Sequence, residues 1–334
     1  MPPRPVVVIT GASAGVGRAT AHAFARWGAR IGLLARDPQA LQDTQREVQR
    51  LGGAALAVPT DVADADAVEA AASAVEEAFG PIDVWVNNAM TTVFSPVREL
   101  EAHELHRVTQ VCYFGAVHGT MAALRRMLPR DRGTIVQVGS ALAFRGIPLQ
   151  AAYCGAKHAI VGFTDSLRAE LIHDGSGVRL TAVHQPAMNT PQFDWARVRF
   201  GRRPKPVGAI MQPEGAAEAI LRAARDAPRE LWVGGSTVQT ILGQMAAPGL
   251  MDRMMAGMAY EQQLRPDPLP EGYRDNLYEP VHAPHATHGA FDGVASPRAP
   301  TLREGRVRGL AAAGGVMLAA GLAWGVATLA RRTA

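Results

Sequence analysis

The chain has 334 residues, of which 48% are hydrophobic, 19% charged and 6% aromatic, with a formal net charge of +4. That composition builds a large globular core and excludes a disordered chain. The charge is mild and scattered, with small clusters at Arg202–Arg203–Lys205 and Arg303–Arg306–Arg308, so no nucleic-acid partner is expected. Two cysteines, Cys112 and Cys154, exclude a disulfide framework and point to a reducing, cytoplasmic setting. The proline-rich start and the short apolar run Val6–Ile9 do not read as a secretory leader.

In chain order, Val6–Ile9 reads as a buried strand that ends at Gly11, and Ala19–Trp27 as a helix. Ile31–Ala35 is a second strand, Pro38–Leu51 a helix with one polar face, and Ala54–Val58 a third strand. Ala65–Phe79 is helical, Ile82–Val86 is a fourth strand, and Glu101–Met127 is one long helix. Thr134–Val138, the helix Tyr153–His173, Arg179–His184 and Leu231–Gly234 continue the alternation. Strands with continuous apolar runs alternating with helices predict an α/β fold, a doubly wound, Rossmann-like parallel sheet covered on both faces.

Asn189–Gln212 breaks this rhythm and carries no strand pattern. The composition divides the chain into a catalytic domain over 1–265, a flexible linker over 266–308 and a membrane helix over 309–331. The linker reading rests on few large apolar residues from Pro280 to Arg308. Leu310–Ala330 is uncharged, and 21 helical residues span about 31 Å, close to the hydrocarbon thickness of a bilayer. Arg306 and Arg308 precede it, Arg331 and Arg332 follow it, and Gly321 and Gly325 would let two such helices approach closely. The membrane is therefore an expected partner of the tail; a loosely packed Ala/Gly helix docked on the protein is the plain alternative.

Thr10-Gly11-Ala12-Ser13-Ala14-Gly15-Val16-Gly17 joins the first strand to the first helix. Gly11 permits a tight turn, Gly15 lets the backbone approach a pyrophosphate favoured by the helix N-terminus, and Gly17 lets helix pack on strand. Arg36 closes the second strand, where an acidic residue would bond a ribose 2′-hydroxyl; a guanidinium there suits a 2′-phosphate, so NADP(H) is expected over NAD(H). Tyr153 and Lys157, at i and i+4, share a helix face. A neighbouring ammonium favours the phenolate and would make Tyr153 a workable acid/base near neutral pH. Ser140 lies just beyond the fifth strand, at the carboxyl edge where open α/β sheets bind ligands.

These motifs, with Asp61-Val62 after the third strand and Asn87-Asn88-Ala89 after the fourth, resemble the short-chain dehydrogenase/reductase family over residues 5 to 235. The resemblance implies that Tyr153 passes a proton to or from a carbonyl or alcohol, that Lys157 binds the nicotinamide ribose and tunes Tyr153, and that Ser140 holds the substrate oxygen. It places Asp61 and Val62 at the adenine, Asn88 and Ala89 along the adenosine side, and Thr190 at the nicotinamide carboxamide. It also implies a homo-oligomer. Three positions depart from the pattern: Met90 replaces a glycine, Ala187 follows Pro186 where a glycine is usual, and Cys112 falls at an asparagine that shapes a helix kink and a proton relay. Cysteine is a poor substitute for an amide. The Cys112 and Met90 departures motivate a rival reading, a non-catalytic NADP(H)-binding sensor or scaffold; a sugar-nucleotide epimerase or dehydratase, which can share Tyr-x-x-x-Lys, suits the glycine spacing less well.

Two weaker patterns complete the list. Met245, Met251, Met254, Met255 and Met258 could line a lipophilic substrate pocket or simply pack a helix. His282, His285 and His288 lie in the linker, and no metal site is expected from them.

Overall fold

The computed structural model describes residues 1–282 and 285–309. The first half is a strict alternation: β1 (Val6–Thr10), α1 (Gly15–Ala25), β2 (Arg30–Ala35), α2 (Pro38–Arg50), β3 (Ala54–Pro59), α3 (Ala65–Phe79) and β4 (Val84–Asn87). A two-residue β5 (Val93–Phe94) precedes α4 (Ala102–Thr109), a π-helical turn (Gln110–Phe114) and α5 (Gly115–Met127). Next come β6 (Gly133–Ser140), α6 (Ala151–His173) and β7 (Val178–Gln185). The Arg-rich segment holds α7 (Gln192–Trp195), β8 (Arg197–Val198) and β9 (Arg202–Pro204). The remainder is α8 (Pro213–Asp226), β10 (Glu230–Val233), α9 (Gly235–Ala246), α10 (Pro248–Met254), α11 (Tyr260–Gln262), β11 (Leu264–Pro268) and β12 (Thr301–Arg303).

Among the described residues the main sheet orders its eight strands β12-β10-β7-β6-β4-β1-β2-β3. Strand order reverses on either side of β1, and the crevice at such a switch point is where open α/β sheets bind ligands. One sheet face, with Val7, Ile9, Val84, Val86 and Val136, packs on α1, α2 and α8; the other, with Val6, Val8, Trp85 and Ile135, packs on α3, α5 and α6. Both faces are covered by helices, which is why the central strands β1, β2 and β4 are mostly apolar and buried.

Three expectations need correction. The sheet is not wholly parallel, because β12 pairs antiparallel with β10 through Trp232 and Leu302. The helix expected to run unbroken from Glu101 to Met127 is interrupted by the π-turn at Gln110–Phe114. The described residues of 266–308 lie against the domain: β11 pairs with β9, and Leu277 is fully buried. Their anchors are chiefly backbone hydrogen bonds, which composition does not reveal. Among the described residues no helix is long and apolar enough to cross a membrane. The expected membrane segment, 310–330, lies outside the described residues.

Candidate active site

The turn between β1 and α1 forms one end of a cleft. Gly11 (φ 67°) and Gly15 (φ 54°) adopt left-handed backbone that favours glycine. A Cβ at Gly11 would lie 2.8 Å from the Ala89 Cα, and one at Gly17 would collide with the Gly11 carbonyl oxygen. The Thr10 hydroxyl accepts the Asn88 and Ala89 backbone N–H groups at 2.9 and 3.0 Å, while the Asn88 amide donates to the Thr10 carbonyl at 2.9 Å. Asn88 and Ala89 thus lock the turn as well as line the cleft. Ser13 and Val16 line it from the loop and the first turn of α1, and the Ser13 carbonyl accepts a bond from Arg18 at 3.2 Å.

The cleft widens into a cavity of about 700 Å³. Arg36 stands on its wall at the end of β2, and burial and the nearby Arg107 cation lower the pKa of its guanidinium. Asp61 also lines the wall, with its carboxylate paired to Arg107 at 2.5 Å. Val62 is buried under Gly115, where a Cβ would come within 2.6 Å of a Val62 methyl. Thr190 abuts Gly15, with its methyl 2.9 Å from where a Cβ would stand. Three glycines that leave backbone uncovered, a helix N-terminus and a guanidinium about 20 residues on fit a dinucleotide.

At the other end Ser140, Tyr153 and Lys157 line the same cavity. Ser140 closes β6, accepts the Leu142 N–H at 3.1 Å and lies beside the Tyr153 phenol, lowering its pKa. Lys157 reaches back from α6, donates to the Val138 carbonyl at 2.7 Å and lies 5.6 Å from the Tyr153 ring centroid. Burial raises the Tyr153 pKa, Cys112 pushes the same way, and Ser140 opposes them. Burial also lowers the Lys157 pKa. A phenol depressed by its lysine is therefore not what this arrangement provides: the ammonium faces the β6 backbone, and desolvation prevails.

Cys112 sits inside the π-turn, buried, with its thiol donating to the Thr91 carbonyl at 3.1 Å. Burial raises its pKa, which suits an inert packing group. The helix kink is present here without an asparagine. Met251, Met254, Met255 and Met258 line the cavity, whereas Met245 points away and is 60% exposed. The three histidines serve separate contacts: His282 bonds Asp37 at 2.9 Å, His285 packs on Trp195, and His288 bonds Glu214. Among the described residues no cluster of His, Cys, Asp or Glu could hold a metal ion.

Sequence reasoning missed two arginines and a segment. Arg107 lies outside every motif and bridges Asp61 to the Leu277 carbonyl. Arg145 lines the cavity beyond Ser140 and pairs with Asp252 at 2.7 Å. Asn276, Pro280, Val281 and His285 line the cavity as well, and the isolated Leu277-Tyr278 pair amid polar residues is a local signal for that stretch.

A doubly wound sheet with this cleft defines a nucleotide-dependent oxidoreductase class. The short chain dehydrogenase family profile matches residues 5–197, more than half of the chain, and the protein belongs to that family. The uncharacterized oxidoreductase YxnA of Bacillus subtilis is 32% identical over 276 residues, covering 82% of this chain and 78% of that protein. The 2-(S)-hydroxypropyl-CoM dehydrogenase 3 of Xanthobacter autotrophicus is 34% identical, covering 65% of this chain and 88% of its own. Among solved structures, an alcohol dehydrogenase from the archaeon Thermococcus sibiricus, complexed with 5-hydroxy-NADP, is 30% identical with a TM-score of 0.58; 69% of this chain and 95% of that one are covered.

Proposed function

We propose that the protein is an NADP(H)-dependent oxidoreductase that interconverts a carbonyl and an alcohol, with Tyr153 as acid/base, Lys157 as its partner and Ser140 holding the substrate oxygen. The observation that carries this reading is the convergence of those three side chains on a cavity that also contains the glycine turn and Arg36. The nicotinamide, when bound, supplies or accepts the hydride. The chain's own residues then divide the work. Gly11, Gly15 and Gly17, with Asn88 and Ala89 behind them, let the backbone approach the nucleotide; Ser13, Val16, Asp61, Val62 and Thr190 line its path.

Tyr153 lies within reach of the same oxygen as Ser140, so its phenol can donate a proton as negative charge develops there. A phenol held protonated by burial is prepared for the reducing direction. Lys157 would return to the ribose and the phenol once the nucleotide is in place, leaving its Val138 bond. Arg36 supports NADP(H), because a guanidinium complements a 2′-phosphate. The similar archaeal dehydrogenase, whose structure carries an NADP derivative, agrees with that choice.

The methionines of α10 and the turn after it give the substrate end an adaptable apolar wall, which suits a lipophilic carbonyl or alcohol. The uncharged run 310–330 would tether such an enzyme to a membrane, and its removal should release the protein to the soluble fraction. The test of the main reading is turnover of a panel of carbonyls followed at the nicotinamide absorbance, with NADPH and NADH side by side. Unchanged NADPH-coupled turnover in Tyr153→Phe would remove the mechanism, and equal use of NADH would remove the cofactor choice.

A further inference from the structure

Described parts of the segment between β11 and β12 border the nucleotide cleft and are held there at several points, some of them on residues that line it, Arg36, Asp37 and Gly15. Arg36 donates to three consecutive backbone carbonyls, those of Asn276 at 2.5 Å, Leu277 at 3.4 Å and Tyr278 at 2.7 Å. Arg107 adds a second bond to the Leu277 carbonyl at 3.0 Å. His282 bonds Asp37, the residue after Arg36. Farther along, the Gly15 N–H donates to the Ala286 carbonyl at 3.0 Å, and Arg18 donates to the His285 carbonyl at 2.8 Å. The side chain of Leu277 is fully buried in the cluster that contains Cys112 and Tyr153.

The donors engaged are the ones suited to anions: a guanidinium at the 2′ end of the ribose and a helix N-terminal N–H at the pyrophosphate end. Here they are capped by neutral peptide oxygens. Resting on the cofactor reading above, we propose that the backbone of Asn276–Tyr278, pinned on Arg36, is the element that sets cofactor selectivity, because a 2′-phosphate can displace it from Arg36 and a 2′-hydroxyl cannot.

The energetic argument is one of exchange. The guanidinium's bonds to carbonyls carry charge on one side only, whereas a phosphate dianion accepts bidentately and adds attraction between two full opposite charges. A phosphate dianion therefore regains more than the peptide carbonyls give up. A 2′-hydroxyl offers one weak, neutral partner and leaves the three carbonyls in place. The Gly15 and Arg18 contacts must yield to either dinucleotide, so they affect both cofactors alike. Only the Arg36 contact distinguishes them.

The test uses the full chain and four probes: NADP⁺, NAD⁺, adenosine 2′,5′-bisphosphate and AMP. Amide hydrogen exchange is followed over 273–282. NADP⁺ and adenosine 2′,5′-bisphosphate are expected to speed exchange there by about tenfold, and NAD⁺ and AMP to leave it within about twofold. Unchanged or slowed exchange with NADP⁺ overturns the proposal. Leu277→Ala provides an independent arm, because it loosens the segment without touching Arg36. Its expected effect is NADP⁺ binding tighter by about fivefold with NAD⁺ binding within about twofold. Weaker binding of both cofactors would make the segment a roof that holds the nucleotide, and would sink the idea. Failure of the underlying reading looks different: equal binding of NADP⁺ and NAD⁺ by the unaltered chain overturns the cofactor choice and the selectivity proposal together. Tighter NADP⁺ binding with unmoved amides overturns the selectivity proposal alone.

Discussion

The cleft has a floor and a roof, built on different physics. The floor is the carboxyl edge of the sheet, where β1, β4 and β6 end on apolar cores that pack both faces. The roof, the described residues of 270–300, has one fully buried leucine and is held largely by hydrogen bonds: backbone carbonyls accept from Arg36, Arg107, Arg18 and Gly15, and His282 and His288 bond Asp37 and Glu214. Side-chain packing secures the first, and hydrogen bonds replaceable by a ligand or by water secure the second. One wall of a site can therefore be exchangeable while the other is fixed by its core.

The comparison is broken most sharply at the floor. Tyr153→Phe should lower NADPH-coupled turnover by about 100- to 10,000-fold, the usual worth of a positioned proton donor, while nucleotide binding measured by fluorescence persists. Turnover near the unaltered level would show that the floor does no acid/base chemistry. Gly17→Ala should come next: its Cβ meets the Gly11 carbonyl, so nucleotide binding should vanish with a stability loss of about 1–3 kcal/mol in chemical denaturation. Wild-type affinity in a folded Gly17→Ala protein would mean that the turn is not the pyrophosphate cradle.

At the roof, Leu277→Asp should open the segment to trypsin at Arg274 while moving the Tm by less than about 4 °C. A larger fall would make the roof part of the global core and erase the distinction. The acid limb of stability should report two carboxyls of the sheet and its helices. Burial would raise the Glu230 carboxyl, but contacts with His184, Trp232 and Arg229 hold it at about 2. Arg18 first, and His22 with it, hold Glu47 at about 2 against partial burial. Both carboxyls are depressed, so their stabilisation is complete above the unfolded value near 4.5 and is lost as pH falls from there toward 2. Glu230→Gln should flatten that limb in a plot of Tm against pH; an unaltered slope would refute its share. The smallest effect is expected at the thiols. Cys112 and Cys154, both buried with raised pKa values, should resist alkylation until the protein unfolds, and rapid labelling in the native state would contradict their placement.

The same division governs what could be read in advance. Apolar runs such as Val6–Ile9 and the spacing of Tyr153 and Lys157 are local patterns with a physical period; the structure forms those strands, and both side chains line the cavity. The roof had no such period, because a carbonyl is available from any residue type. The three residues of β12 are too few to show alternation. The lysine's orientation was also illegible: its bond to the Val138 carbonyl depends on a strand 19 positions away. Asn88 was placed at the cleft, but its second task of tying the Thr10 and Gly11 carbonyls required coordinates.

The π-turn at Gln110–Phe114 carries a wider consequence. One residue more than an α-helical turn is accommodated there, so everything after it is rotated about the helix axis, and Gly115 comes to rest against Val62. The bend follows from the count of residues and needs no particular side chain to hold it. Position 112 still ties the turn to Thr91, but it does so with a thiol, so the architecture around the nucleotide does not depend on an amide there.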